Sequence, residues 1–225
     1  MTSGTHGRDR PQRTPEDLIP ALAAAGVRDE RVLGAFRRVR RERFVPPEWA
    51  RAAYEDRPIP IAYDQVTTQP SLVARMVAAL GLTGGERVLE IGTGLGFQAA
   101  ILAELASEVW SVERFADLAD EARANLAAAG IGNCTVVVGD GTRGLREHAP
   151  YDAVVVAAAA PRVPPPLSEQ LAEGGRLVQP LGRGGGDRVV AFRRRGGRLV
   201  EEGLVTPAYF VRLVGAHGLP DEPAR

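Results

Sequence analysis

The sequence predicts a doubly wound α/β fold, and three observations predict it. Short, continuously apolar runs alternate with helical stretches from Gly84 onward; the first run passes straight into a glycine-rich turn; and the last third is broken by hairpin signals, GRGGGD and RRRGGR. Apolar runs without polar alternation suit strands buried on both faces, and their alternation with helices is the pattern of a parallel sheet covered on both sides.

Taken in order, MTSGTHGRDRPQRTP lacks an apolar pattern and is expected to be a disordered tail over residues 1–15. Thr14-Pro15-Glu16-Asp17 opens a helix through Leu18, Leu22 and Ala25 that Gly26 ends. A second helix is expected from Asp29 to Arg41, with Val32, Leu33, Phe36 and Val39 on one face and Arg37, Arg38, Arg40 and Arg41 on the other, solvated face. Residues 44–69 read as irregular, a length of connection that is uncommon unless it is functional or wraps the core. Pro70 starts a helix that Gly81 closes, completing an N-terminal helical and substrate-segment extension over residues 16–83.

The α/β unit is placed at residues 84–218, with a short tail at 219–225. Its strands are expected at Arg87–Ile91, Glu108–Val112, Thr135–Val138, Tyr151–Ala157, Gly175–Pro180 and Arg188–Phe192, with final apolar segments around Leu199 and Phe210–Val214. Helices are expected at Phe97–Ala106 and Ala116–Ala129, with a short one at Leu167–Leu171. The hairpin signals predict that the last strands pair antiparallel.

Composition removes several function classes. Lys plus Arg and Asp plus Glu are both 28, so the chain carries no net excess of basic charge with which to neutralise a phosphate backbone, and no nucleic-acid partner is expected. Cys134 is the single cysteine, which excludes an internal disulfide and points to a reducing, cytoplasmic setting. No apolar run has signal-peptide or membrane-spanning character. His6, His148 and His217 are scattered, without metal-ligand spacing, and read as surface residues; no metal is expected.

The chemistry concentrates at Glu90-Ile91-Gly92-Thr93-Gly94-Leu95-Gly96. Glycines allow a tight turn and close approach of a ligand to the backbone, and the following helix offers free N–H groups. Gly94 to Ala99 also satisfies the permissive dinucleotide pattern, so the turn alone is ambiguous. Its neighbours decide. Glu90 ends the strand before the turn, where a carboxylate suits a cationic amino-acid moiety and repels a pyrophosphate. Glu113 ends the second strand, where it can accept from ribose hydroxyls, and Asp140, before Gly141, ends the third, on the adenine side. Acids closing three successive strands suit S-adenosyl-L-methionine, a sulfonium nucleoside without phosphate, and with it a methyltransferase.

From Val88 to Gly182 the chain resembles the protein-L-isoaspartate (D-aspartate) O-methyltransferase family. VLEIGTGLGFQAAILAEL, VERFADLADEARANL, VVVGDGTRGL, and above all YDAVVVAAAAP with EQLAEGGRLVQPLG carry the resemblance; RERFVPPEWARAAYED, PIPI, QPSLVARM and YFVRLVG extend it. The resemblance implies a Rossmann-like class I methyltransferase sheet of about seven strands. It also implies action on a peptide or protein carboxylate, the free α-carboxylate of an isoaspartyl residue, whose methyl ester closes to a succinimide and reopens partly to aspartate; a monomer is expected. Glu90, Gly92, Thr93, Gly94, Gly96, Glu113, Asp140 and Gly141 match its cofactor residues. In Gln65-Val66-Thr67-Thr68-Gln69-Pro70, Thr68 stands where the family has a serine between cofactor and substrate, with Thr67 and Gln69 beside it as substrate contacts.

Departures fall on the acceptor side. Ala62 and Asp64 replace usual glycines, Val66 replaces a threonine, and Arg212 replaces a proline, leaving it either a partner for a second substrate carboxylate or an exposed arginine. Two other functions stay open at this point: a relative that esterifies a side-chain carboxylate of a dedicated peptide, and a cofactor-binding module without catalysis. An NAD-dependent oxidoreductase is disfavoured by Glu90.

Overall fold

The computed structural model describes residues 13–221; most of the two expected tails, including His6, lies outside the described residues. Helices α1 (Ile19–Ala24) and α2 (Glu30–Arg38) open the fold. α1 follows a 3-10 turn at Pro15–Leu18, where Thr14 and Asp17 cap each other. Asp29 caps α2 by accepting from the amides of Arg31 (2.9 Å) and Val32 (3.4 Å), satisfying donors that the first turn of a helix leaves without partners. The chain then runs through 3-10 turns at Arg41–Phe44 and Pro47–Ala52 into a short antiparallel pair, β1 (Ile59–Pro60) and β2 (Val66–Thr67). Helix α3 (Pro70–Leu80) follows, with proline at its first position, where no intrahelical N–H is needed.

Next come β3 (Arg87–Ile91), α4 (Phe97–Ala103), β4 (Glu108–Glu113), α5 (Ala116–Ala128), β5 (Cys134–Val138) and β6 (Tyr151–Val156). They are followed by α6 (Pro165–Glu169), β7 (Leu171–Leu181), β8 (Asp187–Arg195) and β9 (Arg198–Ala208). The seven-stranded sheet has the order β5-β4-β3-β6-β7-β8-β9. It is parallel from β5 to β7 and antiparallel across β7-β8-β9, as the hairpin signals predict. Gly196 and Gly197, both at positive φ, make the two-residue turn between Arg195 and Arg198 that matches the right-handed twist of the strands.

The sheet separates two apolar layers because successive strand residues point to opposite faces. Val88, Val109 and Val155 pack with α2, α3, α4 and α5, whereas Leu89, Ile91, Val154 and Val156 pack with Leu167 of α6 and Tyr151 on the other face. After β3 the chain moves to β4 on one side, while β6 lies on the other. The crevice at the carboxyl ends of β3 and β6 is therefore the topological switch point, where open α/β sheets bind ligands.

Three expectations need correction. Phe210–Val214 is not a sheet strand: it crosses the carboxyl end of the sheet, held to Ala159 through Arg212 and to Leu219 through Val214 by isolated bridges. The short helix expected at Leu167–Leu171 lies at Pro165–Glu169, and Leu171 already belongs to β7. Arg41 is not on a solvated helix face. α2 ends at Arg38, and Arg41, in the following 3-10 turn, is 0% exposed.

Candidate active site

The turn after β3 is formed by glycines because side chains fit poorly there. Gly92 (φ 92°) and Gly94 (φ 54°) lie in the left-handed region. A Cβ on Gly92 would meet that of Ala157, just after β6, at 3.4 Å. The turn thus packs against the neighbouring strand end and leaves its backbone open to the crevice.

Glu113, at the end of β4 and 6% exposed, accepts from the amides of Gly94 (2.9 Å), Arg114 (2.8 Å) and Phe115 (3.1 Å). It lines the cavity above the turn together with Ile91, Gly94, Phe115, Leu118 and Gly141. Thr93 lines it as well, while Gly96 caps α4 behind the turn.

Glu90 does not line this cavity. It shares its face of β3 with Val88 and is 0% exposed, accepting from Gln98 Nε2 (3.0 Å) and from Ser111 Oγ. Burial pushes its carboxyl up to about 8, over the opposing effect of those hydrogen bonds; in the protonated form one oxygen donates instead, to Ser111 Oγ. Ser111 also bonds Thr93 Oγ1 (2.5 Å), so Glu90 reaches the turn through a buried hydroxyl chain and the cavity wall through Gln98. The Glu90 carboxyl, expected to meet a cationic amino-acid moiety directly or through water, thus lies beneath the turn and supports it from below.

Asp140 is committed similarly. Its carboxyl accepts from Thr142 N (2.9 Å), Thr142 Oγ1 (2.6 Å) and Ala216 N (2.8 Å). Burial raises its pKa, but these bonds and Arg143 outweigh that and hold it below the usual range. Of the Asp140-Gly141 pair, Gly141 is the one on the cavity wall. A Cβ at Gly141 would come within 2.4 Å of Ile91 Cγ2, so the close approach itself requires glycine.

A second groove runs beside the first, lined by Gln69, Ser71, Arg75, Thr206, Tyr209 and Phe210 among others. Val66, Thr68, Ala157 and Val211 line both cavities, and of these four only Thr68 carries a polar side-chain atom. Thr67 lines only the cavity over the turn, and Gln69 only the groove. Arg212 lines the turn-side cavity rather than the groove and donates toward Pro220 O (3.5 Å).

The segment between β1 and β2 folds over the turn, with Ile61 Cδ1 3.6 Å from where a Cβ on Gly94 would stand. Tyr63 (φ 60°) and Asp64 (φ 54°) take the left-handed conformation, which accounts for a usual glycine at position 64 but not at Ala62, whose φ is not positive. The strain at Tyr63 is offset by contacts: its ring stacks on Phe115 at 4.3 Å and 4°, and its hydroxyl donates to Asp117.

Sequence reasoning missed Ile91, Phe115 and Leu118 on the cavity wall, and Arg75 in the groove. Strand alternation could have found Ile91, since Glu90 and Ile91 must face opposite ways. The others carry no local signal.

A sheet wound about β3, with a glycine turn over the switch point and an acid closing the next strand, defines a nucleoside-binding α/β protein. A family model described as protein-L-isoaspartate(D-aspartate) O-methyltransferase matches residues 13–218. A protein-L-isoaspartate O-methyltransferase from Methanoculleus marisnigri is 50% identical over 212 residues, 94% of this chain and 96% of that protein. Another, from Anaeromyxobacter dehalogenans, is 50% identical over 187 residues, 83% and 90% of the two chains. Among solved structures, a protein-L-isoaspartate O-methyltransferase superposes with a TM-score of 0.80 at 31% identity, over 91% of this chain and 67% of that one. A Plasmodium falciparum structure solved with S-adenosyl-L-homocysteine (TM-score 0.78, 20% identity, 90% and 99% covered) shares the fold. The chain belongs to the protein-L-isoaspartate (D-aspartate) O-methyltransferase family.

Proposed function

We infer that this chain is an S-adenosyl-L-methionine-dependent carboxyl O-methyltransferase acting on isoaspartyl residues of damaged peptides and proteins, a repair enzyme. The observation that carries the reading is the position of Thr68, the one polar side chain shared by the cavity over the glycine turn and the adjoining groove. A group-transfer enzyme needs such a seam, because donor and acceptor must meet in line.

The residues present fit the cofactor. The turn offers an open backbone, Glu113 brings a carboxyl to the wall, Ile91, Phe115 and Leu118 supply apolar surface, and Gly141 lets the chain approach closely. When bound, S-adenosyl-L-methionine supplies a methyl group activated on a sulfonium. Glu113 would accept from the ribose hydroxyls, Thr93 and the Gly92–Gly94 backbone would hold the amino-acid end, and Gly141, on a loop that Asp140 fixes through Thr142 and Ala216, would flank the adenine. Gly96 frees the start of α4.

On the other side, the Thr68 hydroxyl donates to one oxygen of the acceptor carboxylate and leaves the other to face the methyl group. Its companions Thr67 and Gln69 shape the segment, and Arg212 bounds the site from above. A carboxylate with a pKa of roughly 4 is already ionised, so the site needs no general base; alignment and exclusion of water by Val66, Ala157 and Val211 lower the barrier. In this reading residues 84–218 hold the cofactor and residues 16–83 close the acceptor side.

The enzyme works as a cytoplasmic monomer on peptide or protein acceptors. The setting rests on Cys134 being the single cysteine of the chain, which leaves no internal disulfide to form; burial pushes its thiol up to about 12, so it packs without reacting. Among the described residues no helix is long and apolar enough to cross a membrane.

The test is methyl transfer from labelled S-adenosyl-L-methionine to a pair of synthetic peptides that differ only in an isoaspartyl or an aspartyl linkage, read as base-released methanol. Label on the isoaspartyl peptide alone is expected. Label on neither, with cofactor binding intact by calorimetry, would overturn the repair reading and point to a dedicated acceptor peptide.

A further inference from the structure

We propose that Arg41 is the positioning residue of the methyl-transfer site, fixing the Thr67–Thr68 segment from inside and so setting where the Thr68 hydroxyl stands. The proposal rests on the reading of Thr68 given above. Arg41 is fully buried, yet among the described residues its guanidinium is held by backbone carbonyls and a hydroxyl and not by a carboxylate. One guanidinium nitrogen donates to Ala53 O (3.0 Å) and Glu55 O (3.2 Å). The other donates to Arg57 O (3.2 Å), Thr67 Oγ1 (2.8 Å) and Thr68 O (3.1 Å).

A buried cation is costly, and without a close ion pair it is tolerated only where fixed dipoles satisfy it. Burial lowers its pKa to about 10, against the pull of nearby Asp56, so it remains charged at neutral pH. Here the dipoles are carbonyls of residues 53–57 on one side and the Thr67–Thr68 segment on the other. A guanidinium reaches all five acceptors from two nitrogens, whereas lysine's single nitrogen would leave the Ala53 and Glu55 carbonyls or the Thr67–Thr68 pair without a donor. The guanidinium also sits 5.4 Å from the ring centre of Phe97, which lines the cofactor-side cavity.

Asp56 completes the clamp. It lies within the stretch whose carbonyls Arg41 holds, and it accepts from Gln69 Nε2 (2.9 Å) and Ser71 N (2.8 Å). Thr68 is thus tied on both sides to residues 53–57, through Arg41 before it and Asp56 after it. A side chain placed only to stabilise the fold would not need to address the hydroxyl and the carbonyl that flank the seam.

The experiment uses the full chain in four forms: native, Thr67→Val, Thr67→Ser and Arg41→Lys. Thr67→Val removes only the hydroxyl that accepts from Arg41, so it remains informative if Arg41→Lys does not fold. Steady-state transfer to the isoaspartyl peptide, S-adenosyl-L-homocysteine binding by calorimetry, and hydrogen exchange of residues 66–69 are measured. Thr67→Val is expected to lower kcat by about tenfold or more, as loss of a charged hydrogen bond and of alignment would, while product affinity stays within about twofold. Thr67→Ser restores kcat to within about threefold. Exchange at 66–69 quickens in Thr67→Val and Arg41→Lys, and the turn at 92–96 is unaffected. Unchanged kcat with unchanged exchange at 66–69 would overturn the proposal. If the native chain transfers nothing to the isoaspartyl peptide, the repair reading fails, and the exchange comparison alone still decides whether Arg41 fixes the segment.

Discussion

Replacing Glu90 by Gln isolates the buried carboxyl beneath the cofactor turn. In the folded chain burial raises this group from an ordinary 4.5 to about 8. Between those values the unfolded chain has lost the proton that the folded chain keeps, so the native state binds more protons. Stability then falls as pH rises, by up to about 1.4 kcal/mol per pH unit. The contribution is fully present below the unfolded value and is lost as pH rises through the folded one. From about pH 6 to about pH 8 the loss amounts to about 2 kcal/mol, slightly less than the full slope because Glu90 itself begins to ionise at the upper end. Gln has nearly the same shape, can still accept from Gln98 and can donate to Ser111, and does not titrate. Urea unfolding of both proteins without cofactor at several pH values measures the difference directly. The stability of Glu90→Gln relative to the native chain should rise by that amount across the interval. A difference that stays flat from pH 6 to pH 8 would mean that Glu90 is already ionised in the fold, and the hydroxyl chain to Thr93 would then have to be redrawn.

Three other outcomes follow from the site. Thr68→Ala should lower kcat/KM for an isoaspartyl peptide by about 10- to 100-fold, as expected for losing a hydrogen bond to a carboxylate, whereas Thr68→Ser should stay close to native; equal effects of both would show that the hydroxyl is not the relevant group. Gly141→Ala forces a Cβ to within 2.4 Å of Ile91 Cγ2. It should cost about 1–3 kcal/mol in stability and weaken calorimetric binding of S-adenosyl-L-homocysteine, since overpacking displaces the cavity wall. Asp64→Gly relieves a left-handed residue and should raise stability by about 0.5–1 kcal/mol in urea unfolding; a fall would show that Asp64 makes a contact worth more than its backbone strain.

The sequence was most legible where one local rule acts alone. β3, the turn and α4 follow from an apolar run, spaced glycines and an Ala/Leu helix, and the Gly196-Gly197 hairpin follows from its turn. Legibility ended where tertiary contacts decide. Arg41 lies in a run of arginines, and nothing in RRVRRERF distinguishes the one that turns inward. Its burial depends on carbonyls 12 to 27 residues further along. Phe210–Val214 has a strand's composition, but β9 already holds the sheet edge, and these residues serve instead as a crossing segment over the switch point. Glu90 is legible at the carboxyl end of its strand, but its face is set by the pleat, which turns it away from the cavity that Ile91 lines. The left-handed pair at Tyr63 and Asp64 was unreadable because the compensating stack on Phe115 joins positions far apart in the chain.

The most direct test of the account is chromatographic separation of an isoaspartyl peptide from its aspartyl counterpart during prolonged incubation with the chain and S-adenosyl-L-methionine. The account predicts that the isoaspartyl form declines while succinimide and then aspartyl peptide accumulate, and that omitting the cofactor abolishes the conversion. An isoaspartyl peptide that persists unchanged beside a folded, cofactor-binding chain would contradict it.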